Sequence, residues 1–283
     1  MRVHPLRNRK PHSLRRWLGG ALVVMLILTL VACATSPTGR TQLTLFSSEE
    51  IAEMGNLSYA QMREEMPVVE EGEEADYVRC VAEPMLALLD DDADWQVTLF
   101  DRPEVNAFAV PGNNIGIFRG LLDVAETQHQ LATVIGHEIA HVLADHGNER
   151  LSTQFATGAA LELASAVAGG TERGQMVMAA LGLGAQVGVI LPFSRAQETE
   201  ADVLGLELMA DAGFDPREST VLWENMAAAA AESPPEFLST HPGTDTRIDE
   251  LEANMDAAME RFRTARDAGR QPDCVPPERV GST

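Results

Sequence analysis

A pair of histidines four residues apart, with a glutamate after the first, constrains this chain more than any other feature. These residues are His137, Glu138 and His141, and apolar residues recur with helical spacing from 127 to 144, so all three lie on one predicted helix. Residues four apart on a helix lie about 5–6 Å apart at Cβ, so both imidazoles can reach one tetrahedral metal ion. Glu138 can then act as a general base on a water molecule without being a ligand.

A catalytic zinc ion needs a third protein ligand and an open fourth position. Glu198 and Asp202 are again four residues apart. We predict that Glu198 is the third ligand and that Asp202 accepts a hydrogen bond from the remote N–H of a ligating histidine. Glu200 competes as a ligand, but it points to the opposite side of the helix, so we expect it to be solvated or in an ion pair. His146 is predicted to lie on the surface, and we expect no role for His129.

Three motifs in this order resemble the HtpX/CAAX-endopeptidase family of gluzincin zinc metallopeptidases. They are His-Glu-Ile-Ala-His at 137–141, Ser-Arg-Ala-Gln-Glu-Thr-Glu-Ala-Asp at 194–202, and Ser-Thr-His-Pro at 239–242 followed by Arg247. Residues 105–112 also resemble that family's strand ahead of the metal helix. The similarity covers about residues 45 to 265. Closest in layout are the periplasmic lipoprotein proteases of the LoiP/YcaL type, because the BepA type would need a longer C-terminal half.

The resemblance implies one zinc ion per chain. It assigns the ligands to His137, His141 and Glu198, the general base to Glu138, and the supporting acid to Asp202. It also implies that His241 and Arg247 lie near the zinc as further catalytic residues.

The role of His241 is open at this stage. It precedes Pro242, which disfavours helix and indicates a loop. Near the fourth zinc position, its imidazole could stabilise the oxyanion formed during peptide hydrolysis, or it could occupy that position as a cap. A third alternative is a surface histidine with neither role.

Residues 1–32 are predicted to be a lipoprotein signal peptide, because a basic stretch is followed by 16 uncharged residues. Residues 30–33, Leu-Val-Ala-Cys, resemble the bacterial lipobox, so Cys33 is the predicted lipidation site and 33–46 a predicted tether. By resemblance to bacterial lipoproteins, Ala34 favours the outer membrane. We therefore expect a periplasmic protein anchored there by lipid. The alternative is an uncleaved anchor helix, although 16 residues are short for a span of about 20.

The formal charge of −22 excludes one class of partner. Six of the 21 basic residues lie in the first 32 positions, and all 43 acidic residues lie beyond them. The rest of the chain repels phosphate backbones, so we expect no nucleic-acid partner. Of the three cysteines, Cys80 and Cys274 remain after lipidation; they are a possible disulfide or two buried thiols.

The fold class predicted is α+β, mostly helical, with a small β-hairpin or sheet beside the metal helix. The metallopeptidase domain is predicted at 47–270, with a tail at 271–283. Predicted elements are helices at 47–66 and 74–90, a strand at 94–101, and a hairpin formed by 105–110 and 115–118. The hairpin can take an extended peptide by β-augmentation, or it can simply pack on the helix, and these two roles are compatible.

The uncharged stretch 174–193 is long enough for a membrane span. A single crossing would place 137–141 and 198–202 on opposite sides, so we predict a buried or lid-like helical pair over 155–193, with a membrane hairpin as the alternative.

The function predicted is zinc-dependent cleavage of unfolded or misassembled envelope proteins, and outer-membrane assembly machinery is a possible partner. The alternative function is a zinc-stabilised chaperone or assembly factor.

Overall fold

A computed structural model describes residues 33–89, 93–168, 193–232, 235–241 and 244–277. The predicted signal peptide lies outside these ranges, as does the uncharged stretch 174–193 except for Phe193. Across the ranges described, no helix combines the length and apolar character that a bilayer crossing requires.

Helices dominate the described chain and two small sheets accompany them, which confirms the predicted α+β class. The strands are β1 Cys33–Thr35, β2 Thr41–Leu43, β3 Gln96–Phe100, β4 Ala107–Val110 and β5 Asn114–Phe118. The α-helices are α1 Ser48–Glu65, α2 Glu73–Leu86, α3 Gln128–Leu143, α4 His146–Ala168, α5 Arg195–Asp211, α6 Glu218–Glu232, α7 Glu236–Thr240 and α8 Thr244–Asp267. A 3₁₀ turn at Arg119–Asp123 leads toward α3.

Local chemistry explains where helix α1 begins. Ser47 accepts a hydrogen bond from the Glu50 amide, and the Glu50 carboxylate accepts one from the Ser47 amide. This capping box satisfies two amides that the first turn leaves unpaired. Helix α2 starts one residue earlier than predicted and ends four residues earlier, at Leu86.

The predicted hairpin is present and lies at the edge of its sheet. Strands β4 and β5 pair antiparallel from Ala107 opposite Ile117 to Val110 opposite Asn114. Gly112 adopts a φ of 90° in the turn, a backbone conformation that glycine tolerates without strain. Strand β3 pairs parallel with β5 on the other side, so the order is β3-β5-β4 and β4 is an edge strand.

The segment predicted as a tether, 33–46, is instead folded onto the domain. Strands β1 and β2 pair antiparallel and form what we call the N-terminal hairpin, residues 33–43. Beyond it, the Leu45 amide donates to Ser152 Oγ at 2.8 Å, and Asn148 Nδ2 donates to the Phe46 carbonyl at 2.9 Å. The small, polar composition of this segment does not reveal these contacts with α4.

Cys80 and Cys274 are joined by a disulfide, with their Cα atoms 5.8 Å apart. The Cys274 amide also donates to Gln128 Oε1 at 2.9 Å. The segment that follows α8 is therefore fixed both to α2 and to the first residue of α3.

Helix α3 is the centre of the core, since every residue from Gln130 to His141 is buried. Its backbone touches that of α5 at two glycines. A Cβ built on Gly205 would lie 2.8 Å from the His137 amide nitrogen and 2.9 Å from the Gly136 carbonyl carbon. These distances are shorter than real Cβ contacts, so the two helices can approach this closely only with glycine here.

We predict that Gly205→Ala lowers the free energy of unfolding by about 1–3 kcal/mol, because the added methyl group forces the helices apart. The matched control is Gly158→Ala, since a Cβ on this helical glycine meets nothing within 4 Å. Alanine there is expected to stabilise the helix by up to about 1 kcal/mol. Urea denaturation of the full chain measures both changes, and equal effects would contradict the close crossing.

Candidate metal centre

Four side chains from three helical segments converge in the core. His137 and His141 come from α3, Glu198 from the first turn of α5, and His241 directly follows α7. Each residue is at most 3% exposed. One potential ligand atom from each lies within 4.8 Å of the other three. The structure thus brings the three predicted ligands together and adds His241 as a fourth donor.

The separations between these atoms fit one tetrahedral ion. Zinc–nitrogen bonds of 2.0–2.1 Å at tetrahedral angles separate the ligand atoms by about 3.3 Å. His137 Nε2 lies 3.0 Å from His141 Nε2, 3.2 Å from His241 Nδ1 and 3.6 Å from Glu198 Oε2. Glu198 Oε1 lies 3.5 Å from His141 Nε2 and 3.0 Å from His241 Nδ1. The donor set is therefore suited to zinc.

Glu138 lies beside the cluster with an unpaired oxygen. It is 1% exposed, and its Oε1 has no hydrogen-bond partner among the described residues. That oxygen lies 3.5 Å from His241 Nε2. A buried carboxylate oxygen without a donor is costly, so it is suited to accept a proton or a hydrogen bond from a group that enters the site.

Arg247 holds the two carboxylates of α5 in place. It is 2% exposed, donates from Nη1 to Glu198 Oε2 at 2.6 Å and from Nε to Asp202 Oδ2 at 2.7 Å, and also pairs with Asp202 Oδ1. Its guanidinium lies 3.8 Å from the centre of the Trp223 ring. Two carboxylates and an aromatic face offset the cost of burying this charge.

Asp202 supports His137 directly. Its Oδ1 lies 3.1 Å from His137 Nδ1, so the carboxylate accepts a hydrogen bond from Nδ1–H and the unprotonated Nε2 faces the cluster. Burial raises the pKa of Asp202, but the charge of Arg247 and the hydrogen bond from His137 outweigh it and lower that pKa below its ordinary value. Burial also raises the pKa of Glu198, and the hydrogen bond from His241 together with the charges of His137 and Arg247 lowers it overall.

His146 is completely buried, so the prediction of a surface residue was wrong. Its Nδ1 lies 2.8 Å from His141 Nδ1, and its Nε2 lies 3.1 Å from Glu200 Oε2. Asp145 adopts a left-handed conformation with φ 53°, so the chain reverses between α3 and α4 and His146 folds back behind His141. The Asp-His-Gly sequence at 145–147 is a turn signal that could have revealed this reversal.

The prediction for Glu200 left two alternatives, a solvated side chain or an ion pair. The structure shows the ion pair, so the solvated alternative was wrong. It is 4% exposed and accepts from Arg40 Nε at 3.0 Å and from Thr38 Oγ1 at 2.5 Å. Although burial raises its pKa, hydrogen bonds from Ser36, Thr38, His146 and Arg40 lower it to about 2. Glu200 therefore joins the N-terminal hairpin to His146 and is separate from the four-donor cluster.

His129 lies outside the cluster, as expected, and accepts a hydrogen bond from the Asp215 amide at 3.1 Å.

A cleft of about 400 Å³ opens beside the cluster. Its lining includes Ala109 and Val110 of the edge strand β4 together with His141 and Phe193. The Phe193 ring lies over His141 with centroids 4.0 Å apart, and it stacks on His241 at 5.3 Å. Strand β4, at the edge of the described sheet, and His141 of the metal cluster thus line one cleft.

Residues 73–255 match the family model for peptidase family M48. The mitochondrial metalloendopeptidase OMA1 of Schizosaccharomyces pombe is 36% identical over 176 residues, which cover 62% of this chain and 50% of that protein. OMA1 of Danio rerio is 32% identical over 270 residues, covering 87% and 56%. The beta-barrel assembly-enhancing protease of Escherichia coli K12 is 27% identical over 214 residues, covering 72% and 43%.

The chain therefore spans from about two-fifths to just over half of the length of these relatives. The family match covers well over half of the chain itself, including Glu138, the four donors of the cluster and Arg247. This chain belongs to peptidase family M48, whose members are zinc-dependent metallopeptidases.

Proposed function

We propose that this protein is a zinc-dependent endopeptidase with His137, His141 and Glu198 as metal ligands and Glu138 as general base. The observation that carries the proposal is the buried four-donor cluster, beside which a Glu138 oxygen has no hydrogen-bond partner among the described residues. The names of the M48 relatives, which are metalloendopeptidases and a protease, support the same activity.

The proposed chemistry divides between the metal and the protein. Zinc, when bound, supplies Lewis acidity that activates water and polarises the scissile carbonyl. Glu138 accepts the proton of the attacking water at its unpaired oxygen and passes it to the leaving amine. Arg247 keeps Glu198 and Asp202 fixed throughout, so its role is to position these carboxylates.

His241 is proposed to cap the site in a resting state. Its Nδ1 lies at hydrogen-bonding distance from both His137 Nε2 and Glu198 Oε1, where a fourth donor would lie. A catalytic site needs that position for water or substrate. Because His241 lies between α7 and α8, outside both helices, it can withdraw without unfolding either of them.

The substrate is proposed to be an unfolded or extended polypeptide. Among the described residues, β4 pairs with β5 alone, and its residues Ala109 and Val110 line the cleft that His141 also lines. An extended peptide can therefore add as a further strand beside the metal cluster. This agrees with the proposed action on unfolded or misassembled proteins.

We further propose a periplasmic, LoiP/YcaL-like lipoprotein protease anchored at Cys33 to the outer membrane and acting on envelope proteins. The lipobox-like residues 30–33 support the anchor. The name of the similar beta-barrel assembly-enhancing protease supports an outer-membrane assembly machinery as partner. The mitochondrial OMA1 relatives share the peptidase region with this chain.

One observation favours a second function, that of a zinc-stabilised chaperone or assembly factor. If His241 stays bound at the fourth position, the zinc has four protein ligands, which is the arrangement of a structural site. Peptide binding at β4 would then be the activity, without cleavage.

Glu138→Gln is expected to keep bound zinc and to lose cleavage, because it removes the base but no ligand. His137→Ala, His141→Ala and Glu198→Ala are each expected to lose both. Zinc content and hydrolysis of an unfolded casein substrate by the full chain, with and without chelator, measure these outcomes. Cleavage by Glu138→Gln at the wild-type rate would reject the mechanism, and full zinc occupancy in Glu198→Ala would reject that ligand.

His241→Ala separates the cap from the oxyanion role. If a tenth of the molecules are uncapped at rest, removing the cap raises kcat/KM for casein by about 10-fold. Loss of an oxyanion donor would instead lower kcat by about 100-fold at unchanged zinc affinity. Steady-state kinetics and zinc affinity, measured together, distinguish the two. No cleavage by either the wild type or His241→Ala, with peptide still bound, would favour the chaperone function.

Cys33→Ser is expected to release the protein from the outer membrane, because it removes the site at which lipids are attached. A single acyl chain binds a membrane only marginally, but lipoprotein processing attaches more than one. Membrane fractionation measures the change, and Cys80→Ser, which leaves the lipobox intact, is the matched control. Retention of Cys33→Ser in the outer-membrane fraction would contradict the anchor.

A further inference from the structure

A chain of polar contacts leads away from the back of His141. Its Nε2 faces the cluster, 3.0 Å from His137 Nε2, while its Nδ1 lies 2.8 Å from His146 Nδ1. The other nitrogen of His146, Nε2, lies 3.1 Å from Glu200 Oε2. His146 is fully buried, and Glu200 is nearly so. These contacts lie on the side of His141 away from the metal position.

The order of donors and acceptors along this chain fixes where the protons lie. The Glu200 carboxylate only accepts, so Nε2 of His146 is the nitrogen that carries its proton. In a neutral imidazole the other nitrogen is then an acceptor, so His146 Nδ1 accepts from His141 Nδ1–H. His141 consequently presents an unprotonated Nε2 to the cluster. That is the tautomer that metal ligation requires.

The N-terminal hairpin fixes the far end of the chain. Thr38 Oγ1 donates to Glu200 Oε1 at 2.5 Å, and Arg40 Nε donates to Glu200 Oε2 at 3.0 Å. Arg40 also donates from Nη1 and Nη2 to the two oxygens of Glu149 on α4, at 2.6 and 2.7 Å. Both oxygens of Glu200 therefore have partners from the hairpin, which leaves one orientation for the carboxylate that His146 contacts.

The other ligand of α3 has an equivalent support in a single step. Asp202 accepts directly from His137 Nδ1, and Arg247 holds Asp202. Glu200 comes from the same helix as Asp202 but needs His146 as an intermediate, because His141 lies one turn further along α3. The two histidines are thus oriented by two carboxylates, one supported from within the core and one from the hairpin.

We propose that His146, Glu200, Thr38 and Arg40 form a positioning relay that fixes the tautomer and orientation of His141 toward the metal. The N-terminal hairpin is then a working part of the metal site as well as the connection to Cys33. This inference rests on the proposed function, since it takes His141 as a zinc ligand.

The first test replaces the residue in the middle of the relay. His146→Leu removes the acceptor for His141 Nδ1–H and is expected to weaken zinc binding by about 10- to 100-fold, as outer partners of ligating histidines do. His146→Asn places an amide oxygen close to the position of Nδ1 and is expected to recover most of the affinity. Chelator competition on the full chain measures both, and the visible spectrum of the cobalt-substituted chain reports the ligand geometry.

The second test replaces Arg40 of the N-terminal hairpin. Its side chain is partly exposed, so the substitution is less of a risk to folding. Arg40→Met removes the contacts with Glu149 and Glu200 and is expected to weaken zinc binding by about 10-fold, the lower end of the same range. The matched control is Arg119→Met. Arg119 also bridges two carboxylates, of Glu74 at 2.8 Å and Asp101 at 2.7 Å, but outside the cluster and the relay. Its replacement is expected to leave zinc affinity unchanged.

Thermal unfolding of the metal-free proteins separates positioning from general stability. A merely structural role would lower the unfolding temperature of His146→Leu or Arg40→Met while leaving the zinc affinity of the folded fraction and the cobalt spectrum as in the wild type. Wild-type zinc affinity in both variants, or equal losses in Arg40→Met and Arg119→Met, would overturn the relay. If His146→Leu does not fold, Arg40→Met and its control decide the matter.

Zinc binding by His141→Ala distinguishes a failure of the relay from a failure of the proposed function. Loss of zinc in His141→Ala with unchanged affinity in both relay variants would reject the relay and leave the proposed function standing. Full zinc binding by His141→Ala would reject the ligand assignment, and the relay with it. Nitrogen-15 spectra of the zinc-loaded chain test the tautomers directly, because a proton on Nδ1 of His146 would overturn the relay.

Discussion

The contact between the backbones of α3 and α5 sets the geometry on which the metal centre depends. Gly136 immediately precedes His137, and Gly205 lies two helical turns beyond Glu198. With no side chain between the helices at this point, the spacing of His137 and Glu198 is determined by contact between backbone atoms. A contact between the backbones of two helices is stiffer than a contact between side chains, which can change rotamer. The distance between His137 and Glu198 is therefore closely defined before any metal binds.

Charge burial is the second constraint, and it explains why the site needs so many partners. Arg247, Glu198 and Asp202 are all nearly inaccessible to solvent, and each would be strongly destabilising alone. They are tolerated because Arg247 donates to both carboxylates. Glu138 is the exception, since one of its oxygens has no donor among the residues that the structure describes. A buried carboxylate oxygen without a donor is costly, so this one is suited to accept a proton or a hydrogen bond from a group that enters the site.

The sequence predicted what depends on local spacing and missed what depends on distant contacts. Residues four apart on a helix share a face, so the convergence of His137, His141 and Glu198 followed from spacing and family resemblance together. Periodicity indicates which face of a helix a residue occupies but not what covers that face. The burial of His146 needed the left-handed turn at Asp145, and the partner of Glu200 is Arg40, separated from it by 160 residues.

The two sides of the metal centre differ in what holds them. His137 is oriented by Asp202, which belongs to the helical core, whereas the contacts of His141 lead out to the N-terminal hairpin. Thr38, which contacts Glu200, lies only five residues after Cys33, so truncating the chain past residue 38 would remove the support of one ligand.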